Sequence, residues 1–245
     1  MRTLAFNEAL REGLHEEMTR DDSVFVIGED VIAHGGPYKV TDGVAERFPG
    51  RIFETPIAEA GIVGVGVGAA MAGMRPVVEL MYLDFVTCAM ERCQPGGQNA
   101  VYERGQGSVR WSSGCPVGRP VTGGPAFPDH GVLVMHVPGL KVWCRQSGDA
   151  KGLFKPAVRT PDPVLFFEYK RIYPMKGEVP DGDYTIPIGL ADVKREGEDA
   201  TIIAVGPMVE KSLQAAVALE DDGWDVEVVV HARCHRWIPR RFANP

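Results

Sequence analysis

The carboxylate of Glu59 stands between Ile57-Ala58 and the apolar run Ala60–Val63, a placement suited to acid–base chemistry. If both flanks are buried, loss of solvation raises its pKa and lets it share a proton with a ligand. The competing role is a solvated first-turn glutamate favoured by the helix dipole, and the residues alone lean that way. Five positions on, Gly64-Val65-Gly66-Val67-Gly68-Ala69 spells GxGxxG/A. A dinucleotide site needs a strand running into that turn and an acid about 20 residues beyond it. Here Thr55-Pro56-Ile57-Ala58-Glu59-Ala60 puts a proline and a glutamate where the strand belongs. The glycines are therefore read as positions where a helix packs closely on a sheet or a neighbouring subunit. The five cysteines, Cys88, Cys93, Cys115, Cys144 and Cys234, form no CxxC pair and have no histidine at ligand spacing. That pattern speaks against zinc and against a disulfide framework.

Alternating strands and helices must hold these residues. Phe6, Leu10, Leu14 and Met18, at steps of four, predict an opening helix over 5–20. Val24-Phe25-Val26-Ile27, closed by Gly28, predicts a strand buried on both faces. Further strands are expected at Arg51–Phe53, Pro76–Leu80, Leu140–Val142 and Pro163–Glu168, with helices near Asp42–Phe48, Gly61–Ala72 and Ala150–Val158. The alternation predicts an α/β fold with a mainly parallel sheet over a first domain, 1–185. The polar stretch within 186–200 reads as a linker. A second unit, 201–245, then opens with strand Thr201–Val205, helix Met208–Leu219 and strand Val226–Val230. One βαβ unit cannot close a core of its own, so this second unit is expected to be truncated.

Composition narrows the function classes. Of 245 residues, 44% are apolar and 24% charged, an ordinary globular balance. The net charge of 26 − 33 = −7 argues against a nucleic-acid partner, which requires a basic face. No segment reaches the roughly 18 apolar residues of a membrane span. MRTLAFNEALREGLHEEM turns amphipathic and charged at once, unlike a signal peptide, so a cytoplasmic location is expected.

The stretch FETPIAEAGIVGVGVGAAMAGMRPVVELMYLDF (Phe53–Phe85) closely resembles the beta subunit of the decarboxylating component of 2-oxo acid dehydrogenase complexes. So do GEDV at Gly28–Val31, GGPYKVTDG at Gly35–Gly43, HVPGLKV at His136–Val142 and DPVLFFEYK at Asp162–Lys170. The resemblance covers about residues 1–90 and 135–230 and extends to the pyruvate, acetoin and branched-chain members. It implies a transketolase-like pyrimidine-binding domain followed by a C-terminal domain of the transketolase type. The implied cofactor is thiamine diphosphate, its diphosphate and Mg2+ held by an alpha subunit in a heterotetramer. The implied reaction decarboxylates a 2-oxo acid, pyruvate first, and passes the acyl group to the lipoyl-bearing acyltransferase component. By resemblance, Glu59 is the glutamate that hydrogen-bonds the pyrimidine nitrogen N1′, where proton sharing favours the imino tautomer that deprotonates the thiazolium C2. Phe85 resembles the aromatic packed on the pyrimidine, with Ile57 and Met81 lining the same pocket; plain core is the alternative for these three. Ala157, Val158 and Asp162 resemble a monovalent-cation loop for K+, although Thr160 stands where the family has an acid.

The resemblance lapses over 91–134. From Glu91 to Gly131, 41 residues include no Leu, Ile, Met or Lys, and fourteen are Gly or Pro. Back-translation of Cys93–Val109 with permitted codons, read one base later, gives VNQAAKMRFMSGGKVP, a family-like helix and turn. Similar shifts at Arg110, Gly124 and Arg236 give MVIR, AQHSQTMESW and LDTETIRQS, in family order. The expectation is a frame-disrupted subunit at about 91–134 and 231–245, with Trp143–Ser147 as a further scar. On that reading the family's active-site histidine is encoded across Ala126 and Phe127, and His130 is not its counterpart. Residues 91–134 would then lack the side chains to rebuild a helix and strand, and the sheet would lose neighbours. A catalytically inactive remnant, or a non-catalytic α/β binding module, is the competing reading.

Overall fold

Strand β1 (Arg2–Ala5) leads into α1 (Phe6–Arg20), whose Glu8 carboxylate accepts the Ala5 N–H at 2.8 Å and so occupies a donor left open at the helix start. The computed structural model describes residues 2–93, 112–117, 137, 140–144, 150–169, 172–187, 191–205 and 208–231. The predicted stripe of α1 is buried throughout, with Phe6 2%, Leu10 0%, Leu14 1% and Met18 0% exposed. Next come β2 (Val24–Gly28), α2 (Val44–Arg47), β3 (Ile52–Glu54), α3 (Glu59–Met71) and β4 (Arg75–Glu79). A 3-10 segment, Leu83–Ala89, precedes β5 (Ser112–Val117), β6 (Lys141–Cys144), α4 (Ala150–Arg159) and β7 (Val164–Tyr169).

Six of these strands form one sheet in the order β3-β2-β4-β5-β7-β6, and every neighbouring pair is parallel. Period-2 alternation explains why the central strands are apolar without interruption. Val24 and Val26 of β2, with Val164 and Phe166 of β7, join the core beneath α1 and α4. Phe25 and Ile27, with Leu165 and Phe167, join the core beneath α3 and the 3-10 segment. Helices thus cover both faces of a parallel sheet, as the sequence predicts.

Pro156 lies inside α4 and has no N–H to give to the carbonyl of Gly152, four residues earlier. The Ile186 N–H takes that carbonyl instead, at 2.8 Å, and ties the chain after β7 onto the helix. Such an approach leaves no room at Gly152, where a Cβ would stand 2.6 Å from Tyr184 Cε2 and 2.8 Å from Ile186 Cγ1. Gly152→Ala is therefore expected to destabilise by about 1–3 kcal/mol through overpacking. A thermal melt checks this, and an unchanged midpoint counts against it.

Two features depart from expectation. Residues 186–200, read as a linker, contain β9 (Ala191–Arg195). It pairs antiparallel with β11 (Val226–His231), which pairs parallel with β10 (Ala200–Ala204). Strand β9 lies at the sheet edge with a half-exposed to exposed sequence, ADVKR, so backbone pairing holds it and no apolar period announces it. Helix α5 (Met208–Glu220) packs on this sheet through Val209, Leu213 and Ala216. The ribbon of β1 with β8 (Lys176–Val179) is likewise short, polar and unannounced.

The second departure is β5, which falls inside the stretch expected to lack a strand. Its backbone is paired with β4 on one side and β7 on the other. Two apolar neighbours that leave a full row of N–H and C=O groups open supply its ladder whatever its own composition. The sheet keeps its neighbour there. The other positions of the frame-disruption reading, 94–111, 118–136, 145–149 and 232–245, lie outside the described residues.

Candidate functional site

Parallel strands bring their C-terminal ends to one edge of the sheet, the usual place for ligands in open α/β folds. Four glutamates stand at or near that edge. Glu54 ends β3 opposite Gly28, Glu29 follows β2, Glu79 ends β4, and Glu168 lies in β7. Glu54 accepts the Ile32 and Ala33 N–H groups at 2.7 and 2.8 Å, and these bonds hold its pKa below the usual carboxylate value. Glu29 is 7% exposed and accepts the Ala58 N–H, while its Oε1 has no hydrogen-bond partner among the described residues. Burial, then the charge of Glu59, raises its pKa. Glu168 is buried and accepts the Tyr173 hydroxyl at 2.6 Å; Tyr173 in turn stacks on Tyr38 at 4.3 Å between centroids. Gly28 permits the close approach of β2 to β4, since a Cβ there would stand 2.7 Å from Glu79 Cβ.

Loss of solvation, and then the neighbouring charge of Glu168, push the Glu79 carboxyl up to about 8. Its folded pKa therefore lies above the unfolded one. The stability it contributes is complete below about pH 4.5 and is lost as pH rises through about 8. Glu79→Gln cannot acquire that charge. The variant's melting temperature is expected to gain on the wild type as pH rises from about 5 to about 9. A difference between the two proteins that stays constant over that range counts against the assignment.

Glu59 is the first residue of α3 and is half-buried. The expectation that both its flanks are buried holds only on one side. Ile62 and Val63 are 2% and 0% exposed, but Ile57 is 81% exposed and Ala58 is exposed. Phe85, in the 3-10 segment that packs on α3 through Val86 and Ala89, is 40% exposed. Met81 follows β4 and is half-buried. The plain-core alternative thus fails for Ile57 and Phe85, which present apolar surface to solvent. All four residues follow the ends of β3 and β4, the two strands that flank β2. Gly64–Ala69 lies within α3, where its N–H groups face the preceding carbonyls and cannot cradle a pyrophosphate. Ala157 and Val158 lie in α4, 2% and 3% exposed, and Asp162 pairs with Lys141. Among the described residues no three His, Cys, Asp or Glu side chains gather as a metal-binding group.

The family profile "Transketolase, pyrimidine binding domain" matches residues 2–176, and "Transketolase, C-terminal domain" matches 189–239. The 2-oxoisovalerate dehydrogenase subunit beta of Bacillus subtilis is 45% identical over 241 residues, covering 94% of this chain and 72% of the relative. The pyruvate dehydrogenase E1 component subunit beta of the same organism is 40% identical over 237 residues, with the same coverage. The chain belongs to the beta subunits of 2-oxo acid dehydrogenase E1 components. A further relative of this beta-subunit family, the acetoin:2,6-dichlorophenolindophenol oxidoreductase subunit beta of Cupriavidus necator, is 37% identical over 250 residues, covering 93% of this chain and 71% of the relative. Among solved structures, a split-gene transketolase in an inactive beta4 tetramer superposes with a TM-score of 0.72 at 24% identity, over 94% of this chain and 72% of that one, which establishes the shared fold.

Within this E1 beta subunit, sequence reasoning passed over Glu29, Glu79 and Glu168. Each stands at or near the end of an apolar run: VFVIG before Glu29, PVV before Glu79, VLFF before Glu168. An acid that closes a doubly buried parallel strand sits at the ligand edge of the sheet, and that is the signal that could have found them.

Proposed function

We propose that this chain is the beta subunit of a thiamine diphosphate-dependent 2-oxo acid dehydrogenase, acting in the cytoplasm with an alpha subunit in a heterotetramer. The observation that carries the reading is Glu59 at the start of α3, beside apolar side chains open to solvent at the C-terminal edge of the sheet. A pyrimidine ring offers flat apolar faces and a basic ring nitrogen, so a carboxylate two residues from exposed Ile57, on the helix against which the segment of exposed Phe85 packs, suits it. When bound, thiamine diphosphate supplies an electron sink for cleavage of the bond between a 2-oxo carbon and its carboxylate. Glu59 holds the proton shared with the pyrimidine N1′, while Phe85, Ile57 and Met81 fix the ring. Glu29 fixes the Ala58 N–H, and with it the backbone entering Glu59. Mg2+ and the diphosphate fall to the alpha subunit, and the acyl product passes to a lipoyl-bearing acyltransferase.

Pyruvate is the proposed substrate, and the 45% identity with a 2-oxoisovalerate dehydrogenase subunit favours a branched-chain 2-oxo acid as the second reading. The test is co-expression with an alpha subunit, followed by thiamine diphosphate-dependent release of CO2 from pyruvate and from 2-oxoisovalerate. The faster acid decides between the two readings. Release from neither supports an inactive remnant or a non-catalytic module.

The frame disruption at about 91–134 and 231–245 is part of the same proposal. It is supported by the composition of Glu91–Gly131 and by the sixteen family-like residues recovered in one shifted frame. The coding DNA across codons 88–150 and 228–245 decides it. A resequenced frame that differs from the present one assigns the disruption to sequencing error, and one that reproduces it leaves gene decay. Codons 93–109 that do not give the family-like residues when read one base later end the idea.

A further inference from the structure

The family resemblance implies a monovalent cation at the loop that follows α4, and the residues present do not fit one. A helix C-terminus leaves its last carbonyls without intrahelical donors at the negative end of the dipole, which is what draws a cation to such a turn. Here the carbonyls of Val158 and Arg159 already have a cationic donor. Arg75, at the start of β4, donates through Nη1 to the Val158 carbonyl at 2.8 Å and to the Arg159 carbonyl at 3.0 Å. Lys141, at the start of β6, donates to Thr160 Oγ1 at 3.4 Å and forms an ion pair with Asp162. Its backbone N–H also donates to the Pro163 carbonyl at 3.0 Å, so strand and loop are held together.

Charge balance agrees with the geometry. From Pro156 to Pro163 the one carboxylate is Asp162, because Thr160 brings none. Lys141 neutralises it. Arg75 is itself paired, with Asp21 Oδ2 at 3.0 Å, and Arg159 is paired with Glu17 and Asp183. A metal ion at this turn would stand beside two fixed cations, Arg75 and Lys141, that already contact its oxygens, and like charges at close range repel. An ammonium head also has about the radius and the charge of K+, so Lys141 can serve the same oxygens without a bound salt.

We propose that in this chain Lys141 and Arg75 replace the monovalent metal ion, and that the turn from Val158 to Pro163 is held without K+. The inference concerns the fold of the turn and does not depend on the proposed activity.

Two measurements on the full chain test it. The first is the melting temperature in KCl against choline chloride at equal ionic strength. The two are expected to agree within about 1 °C, because a ligand bound to the native state alone would raise the midpoint with concentration. Isothermal titration with KCl is expected to show no saturable heat. A saturable rise of the midpoint in K+ but not in choline overturns the proposal. The second uses Lys141→Ala, which removes the ammonium. Its midpoint in choline is expected to fall by about 3 °C or more, and K+ is expected to restore part of that loss. Lys141→Gln, which keeps a donor and most of the side-chain length, serves if the alanine variant does not fold. A midpoint unchanged by loss of the Lys141 charge overturns the role assigned to it.

Discussion

Glu59→Gln in the assembled enzyme is expected to slow exchange of the thiamine C2 proton by about 10²–10⁴, the range of general acid–base catalysis. Glutamine keeps the length and the planar head of the side chain, so α3 should start at the same residue and the cofactor should still bind. It cannot hold the shared proton, and that is the property assigned to Glu59. Glu29 offers no substitute, because it is 7% exposed and lies behind the backbone that leads into Glu59, whose Ala58 N–H it accepts. Deuterium exchange at C2, followed by NMR, reads the effect separately from decarboxylation. An unchanged exchange rate with normal cofactor affinity would return Glu59 to the role of a first-turn glutamate that merely suits the helix dipole.

Much of this arrangement was legible in the residues, for reasons that differ by element. Strands β2 and β7 are buried on both faces, so VFVIG and VLFFEY carry continuous apolar runs that no helix of that length explains. Helix α1 carries its stripe because one face alone meets the core. Strands β1, β8 and β9 were not legible, since short exposed strands depend on main-chain pairing and show no period. Strand β5 was hidden for a related cause: its place is defined by the open edges of β4 and β7 rather than by SSGCPV. At the site, TPIAEAG drew attention to Glu59, whereas Glu29, Glu79 and Glu168 looked like ordinary strand ends. Only pairing between distant parts of the chain shows that Glu79 comes close to Glu168, and that Glu29 comes to the entry of α3 beside Glu59. The same holds for α4. Lys151 and Lys155, four residues apart, are both 0% exposed because α1 presents acids at matching intervals, a match that neither helix shows alone.

That helix pair carries a large expected effect on stability, at Glu16. Lys151 Nζ lies 2.6 Å from Glu12 and is also paired with Glu16; Lys155 Nζ lies 2.5 Å from Glu16 and is also paired with Asp183. Burial works to lower the Lys151 pKa, and the hydrogen bonds and charges of Glu12 and Glu16 outweigh it. Glu16 is the one carboxylate shared by both buried ammonium groups. Glu16→Ala leaves each lysine one partner in place of two, and only the space vacated by the 33%-exposed Glu16 side chain admits water to solvate the difference. Removing a partner from a buried ion pair typically costs about 3–5 kcal/mol, far above the 0–1 kcal/mol of a surface pair. Since Glu12 and Asp183 remain and Glu16 is itself 33% exposed, a cost between the two regimes, about 2 kcal/mol, is expected, or a fall of about 4–8 °C in melting temperature for a chain of this size. Salt separates the two regimes. Screening weakens exposed pairs and barely reaches buried ones, so the gap between wild type and Glu16→Ala should persist at about 1 M salt. A gap that closes with added salt would mean that the lysines reach water, and that α1 and α4 are joined by their apolar stripes alone.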